Sequence, residues 1–539
     1  MKPKAEFQFL AEELQCYILS FLPYQDILRC TSVCKTLHQT YILSSELQYI
    51  VELGGQRLLH VPNTNLDNHA SVFQRLQLLR DKAHAWFGFD VHSFKTVSIP
   101  AHNKMWVANG HLCLWERGGD STTIFPILPK PSQYTIEHDR SPTSLRSDPN
   151  AYSFDVFMDP VQNLIAIVCA TVDDHFQWDD KRIYIDLGAL DGGGIHPLAA
   201  GRTLFLSELP EIENSNTSSN RGSFKLKGFG RHIALWRSLR VVDQILPRSL
   251  WGLQIWDWQH SPTSSSVLSD TIYPAYEEPN DFCFLGNDRL LMFSDTMKLY
   301  SIEDMSQAPQ LLVCFLLPVS MTSIQCIQPM DDTAHSSRPP MQFEQTMWTS
   351  DPKQQLLCVV TRSPSLVFII STRIFFGPDF FEETPTAISW KHWGPLNARV
   401  FRCLCGVGVG IVGNRVLLPY PTDDRTDIWH VMKYRLHVMD FSPLAVERRQ
   451  CLGRVVKEPS TIEITQPWSG ESLAENLTTS LPYVEVVLDQ DKKFGFRAFE
   501  RIWIDKDRIY FYHGSSELEV VDIAPRVTEA AKPTTSSDD

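Results

Sequence analysis

The sequence predicts a multidomain α+β chain: a small all-α unit at the N-terminus, then a large all-β body built as a seven-bladed propeller. Three observations carry this. Apolar residues recur at helical spacing over residues 9–48. From about Phe87 the period turns from helical to alternating. A unit of polar turn followed by short apolar strand then returns seven times. The expected boundaries are a helical unit at 1–53, a helical linker at 54–86, the β body at 87–523 and a polar tail at 524–539.

In the helical unit, Leu14, Ile18, Phe21 and Leu22 fall on one helix face, and Pro23 stops that helix. Asp26 is placed to cap a second helix reaching about Val33, and another runs from about Ser45 to Leu53, ended by Gly54-Gly55. A unit this short cannot bury Leu14, Ile18, Leu22, Ile27, Leu28 and Val33 internally. The leftover apolar face calls for a partner protein. Residues Ser71–Trp86 form a further amphipathic helix with Val72, Leu76, Leu79, Ala83 and Trp86 inward and Arg75, Arg80, Asp81 and Lys82 in solvent. It reads as a connector packed on the next domain.

The turn-strand units begin near Ala108, Asp159, Gly230, Gly286, Asp351 and Gly413, and the last is centred on Asp505–Arg508. Their spacing fits four-stranded blades of about 40–50 residues with loop insertions. A double-sheet sandwich would need several domains over this length, and no linker divides them. Insertions are expected at Lys130–Asn150, Pro210–Gly222 and Pro329–Met341, which are polar or proline-rich, and the tail Ala524–Asp539 has too little apolar content to pack.

Composition narrows the function. The net charge is −14 with no basic run, which argues against binding a nucleic-acid backbone. The densest apolar runs, Leu164–Val172 and Leu311–Leu317, are far shorter than the roughly 20 residues of a membrane helix, and no secretion signal opens the chain. The expectation is a soluble protein of the cytoplasm, the nucleus or both. The 12 cysteines follow no disulfide framework, and Cys113, Cys169 and Cys358 sit inside apolar strands, as free thiols in a reducing compartment would. The sequons at Asn216 and Asn476 are read as chance matches.

No catalytic, cofactor or metal residue is assigned. Gly408-Val409-Gly410-Ile411-Val412-Gly413 matches a dinucleotide fingerprint but runs into turn and strand where the motif needs a helix. Cys403, Cys405, Cys30 and Cys34 lack zinc-site spacing, and Cys403 and Cys405 fit one face of a strand at a blade interface. Trp251, Trp256, Trp258, Trp390 and Trp393 read as wedges between blades rather than a recognition surface. Asp173-Asp174 and Asp179-Asp180 read as solvated loops, with a surface for a basic partner as the other option.

The N-terminal unit resembles the F-box, the three-helix module that docks F-box proteins onto a Skp-type adaptor. The matching residues are Leu10, Glu13, Leu14, Ile18, Leu22, Asp26-Ile27-Leu28, Val33-Cys34-Lys35 and Ser45-Glu46-Leu47. The sequence departs from the family at Ala11, where a proline is usual, and at Gln48, where an aromatic is common. Losing the proline loosens the start of the first helix and weakens docking without removing the apolar face. The body is similar to the irregular propeller-type bodies of fungal F-box proteins, as are the Leu76–Trp86 helix and the strand Leu253–Trp258.

The resemblance implies a non-catalytic substrate-recognition subunit of a Skp–cullin–F-box ubiquitin ligase. Leu10, Leu14, Ile18, Leu22, Ile27, Leu28, Val33 and Cys34 would meet the adaptor, a cullin would join through it, and the propeller would hold a target protein. Two alternatives stay open: a scaffold that binds the adaptor without degrading its partner, and a propeller enzyme or lectin whose helices are a cap.

Overall fold

The computed structural model describes residues 7, 10–61, 71–89, 91–100, 102–108, 110–116, 122–127, 151–171, 182–190, 194–207, 223–242, 247–272, 281–294, 296–319, 321, 323–327, 347–377, 387–402, 408–421, 434–448, 453–464, 475–488, 499–505, 507–514 and 516–523. The expected insertions, the tail, both Asp-Asp pairs, Asn216, Cys403 and Cys405 lie outside the described residues.

Four helices open the chain: α1 (Glu12–Ser20), α2 (Tyr24–Thr31), α3 (Lys35–Leu43) and α4 (Ser45–Gly55). The sequence reading passed over α3, whose polar first turns hide its period. It also placed the second helix start at Asp26, but Pro23 caps that helix and Asp26 lies inside it, paired with Arg29 at 2.7 Å. Pro23 suits a helix entrance because its missing N–H is one the first turn leaves unbonded anyway. Gly54 and Gly55 are the last two residues of α4, which ends at Gly55 rather than before the pair. A Cβ on Gly54 would stand 2.5 Å from the Tyr24 ring, and one on Gly55 2.8 Å from Leu444 Cβ. These glycines let α4 lie against α2 on one side and the β body on the other.

The fifth helix, α5 (Val72–Gly88), starts at a capping box of Ser71 and Gln74. It is a brace. Leu76 and Leu79 pack on Tyr49 and Leu53, and Trp86 enters the β body beside Ile502 and Ile504. Its cations are not simply solvated, contrary to expectation. Arg80 donates to Gln48 Oε1 at 2.9 Å and meets Glu52 at 3.5 Å, Lys82 pairs with Asp507 at 2.6 Å, and Arg75 lies over the Tyr49 ring at 5.6 Å.

Seven sheets of three or more strands follow among the described residues. Sheet 1 is His102–Ala108, His111–Glu116 and Thr122–Pro126; sheet 2 is Tyr152–Asp159, Leu164–Thr171, Arg182–Ala189 and Thr203–Phe205. Sheet 3 is Ser223–Phe229, His232–Val242, Pro247–Asp257 and Val267–Ile272. Sheet 4 is Asp281–Phe284, Arg289–Phe293, Thr296–Ser301 and Gln310–Leu316, with Ala387–Ile388 added in parallel. Sheet 5 is Gln325–Ile327, Leu356–Thr361, Leu366–Ser371 and Ala398–Arg402. Sheet 6 is Gly410–Val412, Arg415–Pro421, Tyr434–Asp440, Tyr483–Leu488 and Arg454–Val456. Sheet 7 is Arg501–Ile504, Arg508–Tyr512 and Glu517–Ile523, completed by Val91–Ser98 from the start of the body.

These sheets close a ring, the arrangement of a propeller. Each adjacent pair shares one apolar cluster: Cys113 with Ile165 between sheets 1 and 2, Ile185 with Trp256 between 2 and 3, and Leu253 with Phe282 between 3 and 4. Phe293 meets Phe368 between 4 and 5, Cys358 meets Val416 between 5 and 6, and Leu417 meets Ile509 between 6 and 7. Leu518 with Leu112 joins sheet 7 back to sheet 1. Both faces of the second strands are therefore buried, so Leu164–Thr171 reads as an unbroken apolar run rather than an alternation. The sequence-read turn-strand units all fall where a sheet enters its second strand. Five of these turns hold a positive φ, at Gly110, Asn163, Gly230, Gly286 and Gly413.

Antiparallel succession puts every first-to-second turn on one rim of the ring, and the helices are mounted on that rim. Arg57 donates to Asn414 Oδ1 at 3.0 Å and to the Gln354 carbonyl at 3.2 Å, while its own carbonyl accepts from Asp351 N. Leu58–His60 pairs antiparallel with Trp348–Ser350. Asp351–Gln354, Asn414 and Asp507 lie in the corresponding turns of sheets 5, 6 and 7.

Candidate docking surface

Two apolar stripes run along α1. Leu19 is buried with Ile27, Leu37, Tyr41, Leu47 and Val51 in the core of the helical unit. The buried Gln15 sits on the same side, accepting from Thr40 Oγ1 at 3.3 Å and donating to the Leu10 carbonyl at 2.8 Å. The other stripe faces outward: Leu14 is 51% exposed, Tyr17 63%, Ile18 42% and Phe21 70%, and the Tyr17 and Phe21 rings meet edge-on at 4.9 Å. Val33 after α2, and Ile42 and Leu43 at the end of α3, are exposed as well.

The eight side chains singled out from the sequence divide accordingly. Leu14, Ile18 and Val33 are exposed. Leu10, Leu22, Leu28 and Cys34 are half-buried, the last three packed on the helical core. Ile27 is fully buried, a correction: it supports the surface from beneath. Its face of α2 is covered by α4, which the short-range pattern could not show. The sequence places Phe21 on the same helix face but not in the docking set, and leaves Tyr17, Ile42 and Leu43 out of both. Tyr17 was legible, lying at i+3 from Leu14, whereas Ile42 and Leu43 required α3.

Both departures from the family pattern have a local account. Ala11 stands at the N-cap of α1 with no side chain to cap it. Gln48 donates to the Ile42 carbonyl at 2.7 Å and accepts from Arg80, tying α3, α4 and α5 together where an aromatic would only pack.

Among the described residues, charged groups on the first strands lace one first strand to the next. Lys104 donates to the Phe154 carbonyl at 2.9 Å, and Leu226 N donates to Asp155 at 2.8 Å. Lys227 bridges Asp281 Oδ1 at 2.9 Å and the Cys326 carbonyl at 3.3 Å. Burial raises the pKa of Asp155 and lowers that of Lys225. Burial is the largest single influence on Lys227 and opposes its charge, but the Asp281 carboxylate together with Cys326 and Cys283 raises its pKa. Gly410–Val412 and Arg415–Pro421 form a hairpin, and a Cβ on Gly408 would stand 3.2 Å from Ile502 N, so this glycine run serves close strand packing. Trp256, Trp258 and Trp393 are fully buried wedges, the last donating to the Leu316 carbonyl at 3.1 Å. Among the described residues no His, Cys, Asp and Glu group is placed to hold a metal, and no helix is long and apolar enough to cross a membrane.

Comparison with known proteins identifies an F-box domain over residues 7–40, so the helical unit is an F-box. No curated protein matches the chain. Among solved structures it is similar to the WD40 domain of SCAP from fission yeast, at 7% identity over 80% of this chain and 98% of that one, with a TM-score of 0.32. It is also similar to the GH32 β-fructofuranosidase BmSUC1 of Bombyx mori, at 11% identity over 84% and 95% and a TM-score of 0.22. A third is the acylaminoacyl peptidase of Pyrococcus horikoshii, at 10% identity over 60% and 57% and a TM-score of 0.15.

Proposed function

We propose that this chain is the substrate-recognition subunit of a Skp–cullin–F-box ubiquitin ligase, docking the adaptor through its F-box and a target protein through a seven-bladed propeller. The observation that carries the reading is the bare stripe Leu14, Tyr17, Ile18 and Phe21 on a unit whose core is complete without it. A contiguous apolar face left in water on a finished domain is what a partner covers. The contribution to ubiquitin transfer is proximity: the target's lysines are held near the carrier, and catalysis belongs to other subunits.

The mount supports a choice of target face. The segment that follows the F-box is anchored to the rim of first-to-second turns over sheets 5, 6 and 7, with Arg57 on Gln354 and Asn414 and Lys82 on Asp507. The opposite rim, clear of the adaptor, is the proposed seat of the target.

The test is co-precipitation of the adaptor with full-length protein carrying Leu14→Asp and Ile18→Asp. Loss of adaptor is expected, and retention at wild-type level refutes the docking face. The same variant separates receptor from scaffold. Proteins labelled by proximity under proteasome inhibition should accumulate without the inhibitor when the variant replaces the wild type; unchanged abundance would favour the scaffold. Deleting the F-box is the poorer design, because Tyr49 and Leu53 pack against α5.

A further inference from the structure

Given the receptor reading, on which this rests, we propose that Arg57 is a positioning residue. It locks the F-box in one orientation on the β body and so selects which lysines of a bound target receive ubiquitin. Only Gln56 and Arg57 separate α4 from Leu58–His60, the strand already paired with Trp348–Ser350. Two residues make a pivot unless something holds them. Arg57 has a left-handed backbone, φ 58°, which turns the chain from helix into strand. Its guanidinium spans two sheets, donating to the Gln354 carbonyl of sheet 5 at 3.2 Å and to Asn414 Oδ1 of sheet 6 at 3.0 Å. The buried Asn414 donates in return to the Gln56 carbonyl at 3.5 Å, and the Arg57 carbonyl accepts from Asp351 N at 3.0 Å. The pivot is closed on both residues.

The other polar anchor is the weaker one. Lys82 meets Asp507 at 2.6 Å, but the Asp507 side chain is 48% exposed, and an ion pair so open to water contributes little. The orientation of α4 therefore depends chiefly on the Arg57 joint and on the contact of Gly55 with Leu444 beside it. The leverage is large. The 11 residues of α4 span about 16 Å, so a swing of about 20° at Arg57 moves the far end by about 5 Å, and whatever docks beyond it by more.

That displacement matters because transfer is a contact reaction. A target lysine amine attacks the thioester carbonyl of the ubiquitin carrier; the isopeptide bond forms, the carbon–sulfur bond breaks, and the freed thiol takes the amine proton. The amine must come within about 3–3.5 Å of that carbonyl. A locked joint holds a few lysines in reach for long periods. A loosened joint sweeps more lysines past the carrier, each for a smaller share of the time. Arg57 acts here through the orientation of the F-box, touching neither the exposed stripe of α1 nor the opposite rim.

The test compares full-length wild type with Arg57→Gly, Arg57→Lys and Asn414→Ala. Glycine accepts the positive φ, so the first variant removes the guanidinium without straining the backbone. Adaptor co-precipitation and the proteins labelled by proximity are measured, and the ubiquitin-bearing lysines of those proteins are mapped by mass spectrometry under proteasome inhibition. Adaptor and labelled partners should match the wild type. Occupancy of the wild-type lysines should fall about 10-fold in Arg57→Gly and Asn414→Ala, with further lysines newly modified. Arg57→Lys, reaching one acceptor of the two, should lie between. An unchanged lysine pattern in both variants overturns the proposal, as does loss of the adaptor from both. Should Arg57→Gly fold poorly, Asn414→Ala decides, since it removes one of the same bonds from the other side. Labelled partners of the wild type that carry no ubiquitin would instead sink the receptor reading. The lock itself is then judged by energy transfer between fluorescent amino acids encoded at the exposed Glu46 and Glu303. A wider spread of distances in Arg57→Gly than in the wild type supports it, and equal spreads overturn it.

Discussion

Replacing exposed side chains of α1 and its C-cap, and a buried one of α2, should separate docking from stability. Tyr17 and Phe21 are 63% and 70% exposed. Full burial of a large apolar side chain is worth about 1.5–3 kcal/mol, so covering the bare two-thirds of each contributes about 1–2 kcal/mol. Tyr17→Ala/Phe21→Ala should therefore cost about 3 kcal/mol of adaptor affinity, roughly a 100-fold rise in Kd. Its folding stability should move by less than about 1 kcal/mol, since little beyond the edge-on ring contact is lost. Ile27→Ala inverts the pattern: at 0% exposure it leaves a cavity against Leu19 and Val51, costing about 2–5 kcal/mol of stability. Its affinity at low temperature should change far less than that of the double variant. Titration calorimetry with purified adaptor and thermal melts of the same preparations measure both quantities. Binding by Tyr17→Ala/Phe21→Ala within two-fold of wild type would refute the assignment of this stripe as the docking surface.

Two further outcomes follow from the packing. Gly54→Ala should destabilise the joint between α2 and α4, since the added carbon would stand 2.5 Å from the Tyr24 ring; proteolysis should then cut within the helical unit before the β body, and an unchanged cleavage pattern would discount that contact. His232 is fully buried on the Phe284 ring with both ring nitrogens unpartnered, and burial lowers its pKa from 6.5 to about 4. Between those values the unfolded chain binds the proton more readily. The stabilisation from keeping the ring neutral is thus full above about pH 6.5 and falls by roughly 3 kcal/mol as the pH drops to about 4. Denaturant midpoints across that range should fall in the wild type more steeply than in His232→Phe, and equal slopes would sink the argument.

How far the sequence reached differs between body and site. The turn-strand units were legible because each needs the same local physics: a polar turn, often with a left-handed residue such as Gly230 or Gly286, then a strand apolar on both sides. The F-box was legible from the order of its leucines and polar turns. The docking stripe was only half so. Leu14 and Ile18 lie on the same helix as Leu19, which packs inward, and a short helix apolar on two sides does not declare which side its neighbours cover.

The sequence by itself determined the helical start, the change of period at the β body and the repeating turn chemistry, since each depends on residues a few positions apart. Tertiary structure alone decided that Val91–Ser98 completes the last sheet, and that Arg57 and Leu58–His60 bind turns some 300 to 360 residues away. It also decided that Ile27 is buried while Phe21 is bare. Such outcomes turn on which surfaces meet once the chain has closed on itself, and spacing along the sequence carries no record of that meeting.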